Sequence, residues 1–202
     1  MSTADNKRDF KFTERASVYD EQFEGKFSEK IYRLVTETIT LSPNDKILDI
    51  GCGTGTILKR LSDKCNIDGY GIDIEEEMIQ QAKQKCPQMQ IFKCDCTNTP
   101  FEDETFDSIT ACMAFHHFHD QNAFAREASR ILKAGGKFYL ADPGLPGIPR
   151  TVINTVINVH NLVGKFNTIQ EIEQIFKPYG LIKKEVLKDG LFQLIVLEKV
   201  SE

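Results

Sequence analysis

Apolar positions along this 202-residue chain alternate between two periods. From Phe27 to Leu41, the residues Phe27, Ile31, Leu34, Val35 and Thr38 recur at helical spacing, which predicts a helix ahead of the core. Ser42-Pro43-Asn44-Asp45 then breaks the pattern with turn-forming residues. Strand-like runs follow at Lys46–Ile50, Asp68–Asp73, Gln90–Cys94, Phe106–Met113, Lys137–Ala141, Leu181–Leu187 and Leu191–Leu197. Between them lie amphipathic stretches carrying Ile57/Leu58/Leu61, Met78/Ile79/Ala82/Cys86 and Phe124/Ala128/Ile131/Leu132. A further helix is expected after Asn167, with Ile169, Ile172, Ile175 and Phe176 inward and Thr168-Ile169-Gln170-Glu171 as a capping box. Strands alternating with helices imply a parallel sheet covered on both faces. Only Lys188-Asp189-Gly190 separates the last two strands, so those two run antiparallel. The expected fold is α/β: a doubly wound, seven-stranded, mostly parallel sheet that ends in an antiparallel hairpin.

Residues 143–166 stand outside the alternation. Pro143, Pro146 and Pro149 precede Thr151-Val152-Ile153-Asn154-Thr155-Val156-Ile157-Asn158, a stretch with a period of four. Its β-branched residues lose rotamer freedom in a helix, yet the pattern predicts a short amphipathic one. Ile153, Val156, Ile157 and His160 form its apolar stripe, with the asparagines opposite. Following the fifth strand, it can lie over the carboxyl ends of the strands, where open α/β sheets bind ligands. A lid with this stripe turned toward the ligand, a dimer contact and packing on the sheet edge are the three readings. Gly144, Gly147 and Gly164 would be the hinges of a lid. The rest reads as one domain over residues 1–202, with residues 1–41 as a tail and covering helices.

Composition narrows the function classes. Charged residues make up 27% and hydrophobic residues 41%, an ordinary globular balance. A net charge of −5 argues against a surface that tracks nucleic-acid phosphates. No apolar run reaches the roughly 20 residues of a membrane-spanning helix, and residues 1–11 lack the apolar core of a signal peptide. A cytoplasmic protein without a membrane or nucleic-acid partner is expected, as a monomer or homodimer. The six cysteines contain no CxxC pair. Cys94 and Cys96 would share one face of a strand, so a CxC metal site and a pair of small packing residues are both open; no metal is expected.

The densest chemistry lies in Ile47-Leu48-Asp49-Ile50-Gly51-Cys52-Gly53-Thr54-Gly55, a buried strand running into a glycine turn and a helix. Glycine is required where backbone approaches a ligand closely or takes positive φ. A dinucleotide fingerprint needs its third glycine three residues after the second, and Thr56 stands there. Asp49 ahead of the turn suits a ligand with positive charge and would repel a pyrophosphate. Asp73 ends the second strand, placed to accept from both hydroxyls of a ribose or to cap the helix that follows. Asp95 ends the third and could accept from an adenine amino group.

With these motifs in place, the chain resembles class I S-adenosylmethionine-dependent methyltransferases, in particular the small ubiquinone/menaquinone-biosynthesis type, from about Phe12 to Tyr139. Asp49–Gly55 is similar to the family's first motif, Asp73 to its ribose acid and Asp95-Cys96 to its adenine-contacting pair. Phe106–Phe118 resembles the fourth-strand motif, and Arg130–Gly136 the approach to strand five, with Ala134 where proline is usual. Phe12–Asp20 resembles the segment that covers the cofactor. The resemblance implies a Rossmann-like sheet and S-adenosyl-L-methionine as cofactor, with S-adenosyl-L-homocysteine as product. It further implies that Asp73, Ile74, Asp95 and Cys96 hold the adenosine. Tyr19, Asp49, Gly51, Cys52, Gly53, Gly55 and Cys112 would hold the methionine portion, and Met113 would also contact the cofactor. Cys112 departs from the serine often found there. The implied reaction is in-line methyl transfer to a small-molecule acceptor; a non-catalytic cofactor-binding protein and a nicotinamide-dependent dehydrogenase are the alternatives.

Three of the four histidines, His116, His117 and His119, cluster just past the fourth strand. Histidine accepts protons near neutral pH, so His116 and His117 are the candidate catalytic bases. Packing, and solvation beside a helix capped at Asp120, is the competing role.

Overall fold

The computed structural model describes residues 23–144, 147–159 and 164–201. Helix α1 (Phe23–Thr38) precedes β1 (Lys46–Ile50), α2 (Thr56–Lys64), β2 (Asp68–Asp73), α3 (Glu76–Lys85) and β3 (Gln90–Lys93). Then come β4 (Phe106–Cys112), a 3₁₀ turn over Phe115–His117, α4 (Gln121–Ile131), β5 (Leu132–Pro143) and α5 (Gly147–Val159). Helix α6 (Ile169–Phe176), β6 (Leu181–Asp189) and β7 (Phe192–Lys199) complete the order. The strands form one seven-stranded sheet, β3-β2-β1-β4-β5-β7-β6. Pairing is parallel throughout except at β7, which runs antiparallel to both neighbours. The expected fold class holds.

Strand periodicity sends alternate residues to opposite faces, and both faces of the central strands are buried. Leu48 and Ile50 of β1 join Phe106, Ile109, Phe124, Phe138 and Phe176 on the α4–α6 side. Ile47 faces the other way, into a cluster with Ile31 and Val35 of α1 and Ile57 and Leu61 of α2. Gly69 and Gly71 let the neighbouring edge close down: a Cβ on Gly71 would sit 2.9 Å from Ile91 and 3.0 Å from the Cys52 sulfur.

Several boundaries differ from the expectation, three of them for reasons the chain shows. Helix α1 begins at Phe23 and ends at Thr38, where the run of apolar side chains had placed it over Phe27–Leu41. Strand β5 begins at Leu132, because a register shift opposite Phe106/Ser108 and a left-handed Gly135 (φ 73°) let the chain bulge without leaving the sheet. The hairpin closes over Gly190-Leu191, with Asp189 paired to Phe192. The capping box at Thr168 is present in both directions. Among the described residues, no helix is long and apolar enough to cross a membrane.

Candidate functional site

The order β2-β1-β4 makes the gap between β1 and β4 the switch point of the sheet, where successive strands diverge and a crevice opens at their carboxyl ends. Two turns meet there. The first follows β1, where Gly51, Gly53 and Gly55 all take left-handed φ, at 68°, 51° and 80°. The amides of Gly51 and Cys52 both donate to the Ile72 carbonyl, tying the turn to β2 at 2.8 and 3.0 Å. A Cβ on Gly51 would lie 2.6 Å from the Ala114 methyl, so this glycine lets the second turn, after β4, pack against the first. Gly53 has nothing within 4 Å of its Cβ position and borders open space. The Cys52 side chain is buried with Leu58 and Ile79, so what Cys52 lends to the turn is its backbone.

Asp73 closes this half. One carboxylate oxygen accepts from the Gly53 amide at 2.8 Å and the other from the Glu75 amide at 3.0 Å. A carboxylate offers about four lone-pair sites, so capacity remains for the hydroxyls of a ligand. Burial raises its pKa, against the lowering effect of these amide bonds. Beside it Ile74 is 63% exposed, an apolar wall left open. Asp95 is exposed, and its Oδ1 accepts from both the Thr97 amide and hydroxyl at 2.7 Å, which holds its pKa below the usual carboxylate range. Cys96 is half-buried, and burial pushes its thiol up to about 12. It packs with Cys94 against the main core, and no group of metal-ligating side chains is found among the described residues.

Asp49 lies beneath the turn, 2% exposed, and accepts from the Thr110 hydroxyl at 2.6 Å, its register partner on β4. Burial pushes its pKa up to about 7; the Thr110 bond pulls it down, and the charge of Asp73 adds to the rise. A cationic ligand would relieve that penalty.

The second turn carries the histidines. His116 is buried, and its backbone amide donates to one oxygen of Asp142 at 2.9 Å. Its Nδ1 lies 2.8 Å from the other Asp142 oxygen. A carboxylate only accepts, so Nδ1 carries a proton, and in the neutral ring Nε2 is the accepting nitrogen. Phe166 stacks on the same ring, with centroids 4.9 Å apart and planes 17° from parallel. The ring of His117 approaches to 3.9 Å. His117 is exposed as a residue, yet the packing around its imidazole and the neighbouring His116 lower its pKa to about 4. The turn enters through Met113 at φ 56°, a left-handed conformation rare outside glycine.

Residues 48–140 match the family described as "Methyltransferase domain". Over these residues the chain is similar to the methyltransferase family. An uncharacterized methyltransferase of Anoxybacillus flavithermus is 35% identical over 133 residues, covering 63% of this chain and 60% of the relative. The ubiquinone/menaquinone biosynthesis C-methyltransferase UbiE of Geotalea daltonii is 30% identical, covering 56% of this chain and 52% of that one. The chain spans about half the length of the curated relatives it matches. A chain in the solved complex of the Haloferax volcanii Trm112 methyltransferase activator with a candidate methyltransferase superposes with a TM-score of 0.83. It is 19% identical and covers 95% of this chain and 98% of that one, a likeness of fold.

The fold brings together Asp49, Gly51, Cys52, Gly53, Gly55 and Asp73 around the first turn, with Ile74 beside Asp73. Asp95 and Cys96 follow the adjoining strand end, and Met113, His116 and His117 line the second turn. Cys112 is buried among the apolar residues of the α1 side. Tyr19 and His160 lie outside the described residues, as do the side chains of Val156 and Ile157. In α5, Val152 and Ile153 are exposed, whereas Asn154, expected on the outer face, bonds inward to the backbone of Phe166. Asp142 and Phe166 escaped the sequence reading. Asp142 had a signal, an acid at the carboxyl end of a strand like Asp73 and Asp95; Phe166 had none, since only folding brings it to His116.

Proposed function

We propose that this chain transfers a methyl group from S-adenosyl-L-methionine to a compact small-molecule acceptor. The observation that carries the reading is the Asp73 carboxylate joined to the Gly53 amide at the sheet's switch point. That bond presents an acceptor for hydroxyls beside an open glycine face. The residues fit such a ligand: Gly53 leaves room that a Cβ would fill, and buried Asp49 calls for a positive group. Asp73 would hold the ribose, Ile74, Asp95 and Cys96 the adenine, and Asp49 with the Gly51–Gly55 turn the methionine portion.

When bound, the cofactor supplies a methyl group already activated on a sulfonium. The chain's own part is to align the acceptor and exclude water, worth several kcal/mol in a well-oriented displacement. His116, its Nδ1–H directed to Asp142, accepts the acceptor's proton at Nε2, a role typically worth about 10²–10⁴ in rate. Helix α5 is proposed as the lid over this half. The net charge of −5 and the short segment between β5 and α6 favour a small acceptor over nucleic acid, and the free thiols suit a reducing cytoplasm. Calorimetry with S-adenosyl-L-homocysteine, followed by labelled-methyl incorporation into a metabolite extract, tests the proposal. Binding with incorporation supports it; binding without any incorporation leaves a cofactor-binding protein, and no binding removes the reading.

A further inference from the structure

The strap from Gly164 to Thr168 is fixed at every residue. The Lys165 amide donates to the His116 carbonyl at 2.7 Å, and Gly164 is required beneath it, since a Cβ there would lie 2.9 Å from that same oxygen. The Asn167 side-chain amide donates to Gln121 of α4, and the Asn167 backbone carbonyl accepts from the Gln193 side chain of β7 at 2.8 Å. Thr168 caps α6. Phe166, between them, is held from α5. The Asn154 side-chain amide donates to the Phe166 carbonyl at 3.0 Å and accepts from the Phe166 backbone amide at 3.1 Å, the same exchange that a β-bridge makes. Arg150, one turn earlier, pairs with Glu171 of the capping box at 2.9 Å.

We infer that Asn154 and Phe166 are positioning residues for His116, and that the docking of α5 is transmitted to the ring through this strap. A side-chain amide carries its donor and its acceptor on separate atoms, so Asn154 can engage the amide and the carbonyl of one residue at once, as a neighbouring strand would. Asp142 fixes the ring's tautomer and one edge; Phe166 fixes its plane. A closed α5 therefore holds the accepting nitrogen in place, and an undocked α5 releases it. The inference rests on the reading of His116 as the base, but the latch can be measured without turnover.

The stack at 4.9 Å places the His116 ring protons in the ring current of Phe166, so they resonate upfield in the NMR spectrum of the intact protein. Asn154→Ala is expected to move them toward random-coil positions while the Gly53 amide signal stays in place. Asn154→Asp, which keeps the acceptor and loses the donor, falls between. Phe166→Leu removes the Phe166 share of the upfield shift, leaving that of the His117 ring, with the strap's backbone intact, and serves as the reference should Asn154→Ala disturb the helix. With an accepted substrate, Asn154→Ala should lower kcat about tenfold and leave the affinity for S-adenosyl-L-homocysteine unchanged. Unmoved His116 signals in Asn154→Ala overturn the latch. Signals that move as expected, with His116→Ala transferring at the wild-type rate, keep the latch and overturn the base.

Discussion

Asp73 finds its partners 2 and 20 residues away along the chain, whereas His116 is held by Asp142, 26 residues on, and by a strap that α5 fixes in turn. The first half of the cleft is a strand-turn-helix unit closed by the next strand, and the bonds that hold Asp73 come from backbone amides. The second half is assembled from β4, β5, α5 and the segment ahead of α6, and its decisive contacts are between side chains. A backbone-built site tolerates little substitution and binds one kind of ligand. A side-chain-built site can be refitted residue by residue, which is how one fold serves many acceptors.

If the halves are separable, damage to the second should leave the first untouched. The largest effect is expected from His116→Ala. Methyl transfer should fall by about 10²–10⁴ while calorimetry finds the affinity for S-adenosyl-L-homocysteine within about twofold of wild type. Asp142→Asn should follow the same pattern. A matching loss of affinity in either variant would mean that the two halves are one unit.

The glycines sharpen the contrast from the other side. Gly51→Ala meets the Ala114 methyl at 2.6 Å in a left-handed conformation, so strain and overpacking together should cost about 2–4 kcal/mol. Thermal unfolding should then drop by on the order of 10 °C. Gly53→Ala bears only the conformational cost of about 1–2 kcal/mol. It should therefore weaken cofactor binding more than it lowers the melting temperature. Equal melting losses in the two variants would contradict the open face assigned to Gly53.

The smallest effect concerns protons. Asp49 holds its proton up to about pH 7 in the folded chain, against 3.8 for an ordinary aspartate. Folding therefore takes up a proton between those values, and stability falls as pH rises through that window. Denaturant titrations should show this slope in the wild type and its loss in the Asp49→Asn variant. A cation bound nearby favours the carboxylate, so cofactor binding at pH 6 should release part of a proton. Calorimetry in buffers of different ionisation heat measures that release; none at pH 6 would place the positive group elsewhere.

The same contrast governs how much was legible in the sequence. The places of Asp49, Gly51 and Asp73 in the fold were legible because a strand, a turn and a strand end carry their own signatures within a few residues. The alternation of strands and helices and the capping box at Thr168 were readable for that reason too. In α5 the periodic stripe suggested an inward apolar face, yet Val152 and Ile153 are exposed and Asn154 turns in, because two hydrogen bonds to Phe166 hold that side. Periodicity reports which residues are apolar, and a helix on a surface can be anchored by a polar one. Asp142 needed knowledge of which strand ends share the crevice. Nothing local marks Phe166 as the wall of a histidine.

The central claim is that the glycine turn and Asp73 form a site for S-adenosyl-L-methionine and its product. Titrating S-adenosyl-L-homocysteine into the wild-type chain and into Asp73→Ala in one calorimeter tests it most directly. Loss of the carboxylate removes hydrogen bonds worth about 1.5–3 kcal/mol each at most and frees the Gly53 amide. The wild type should bind one equivalent, and the variant, still showing a cooperative unfolding transition, should bind at least tenfold more weakly. Equal affinities, or no binding by the wild type, would contradict the account.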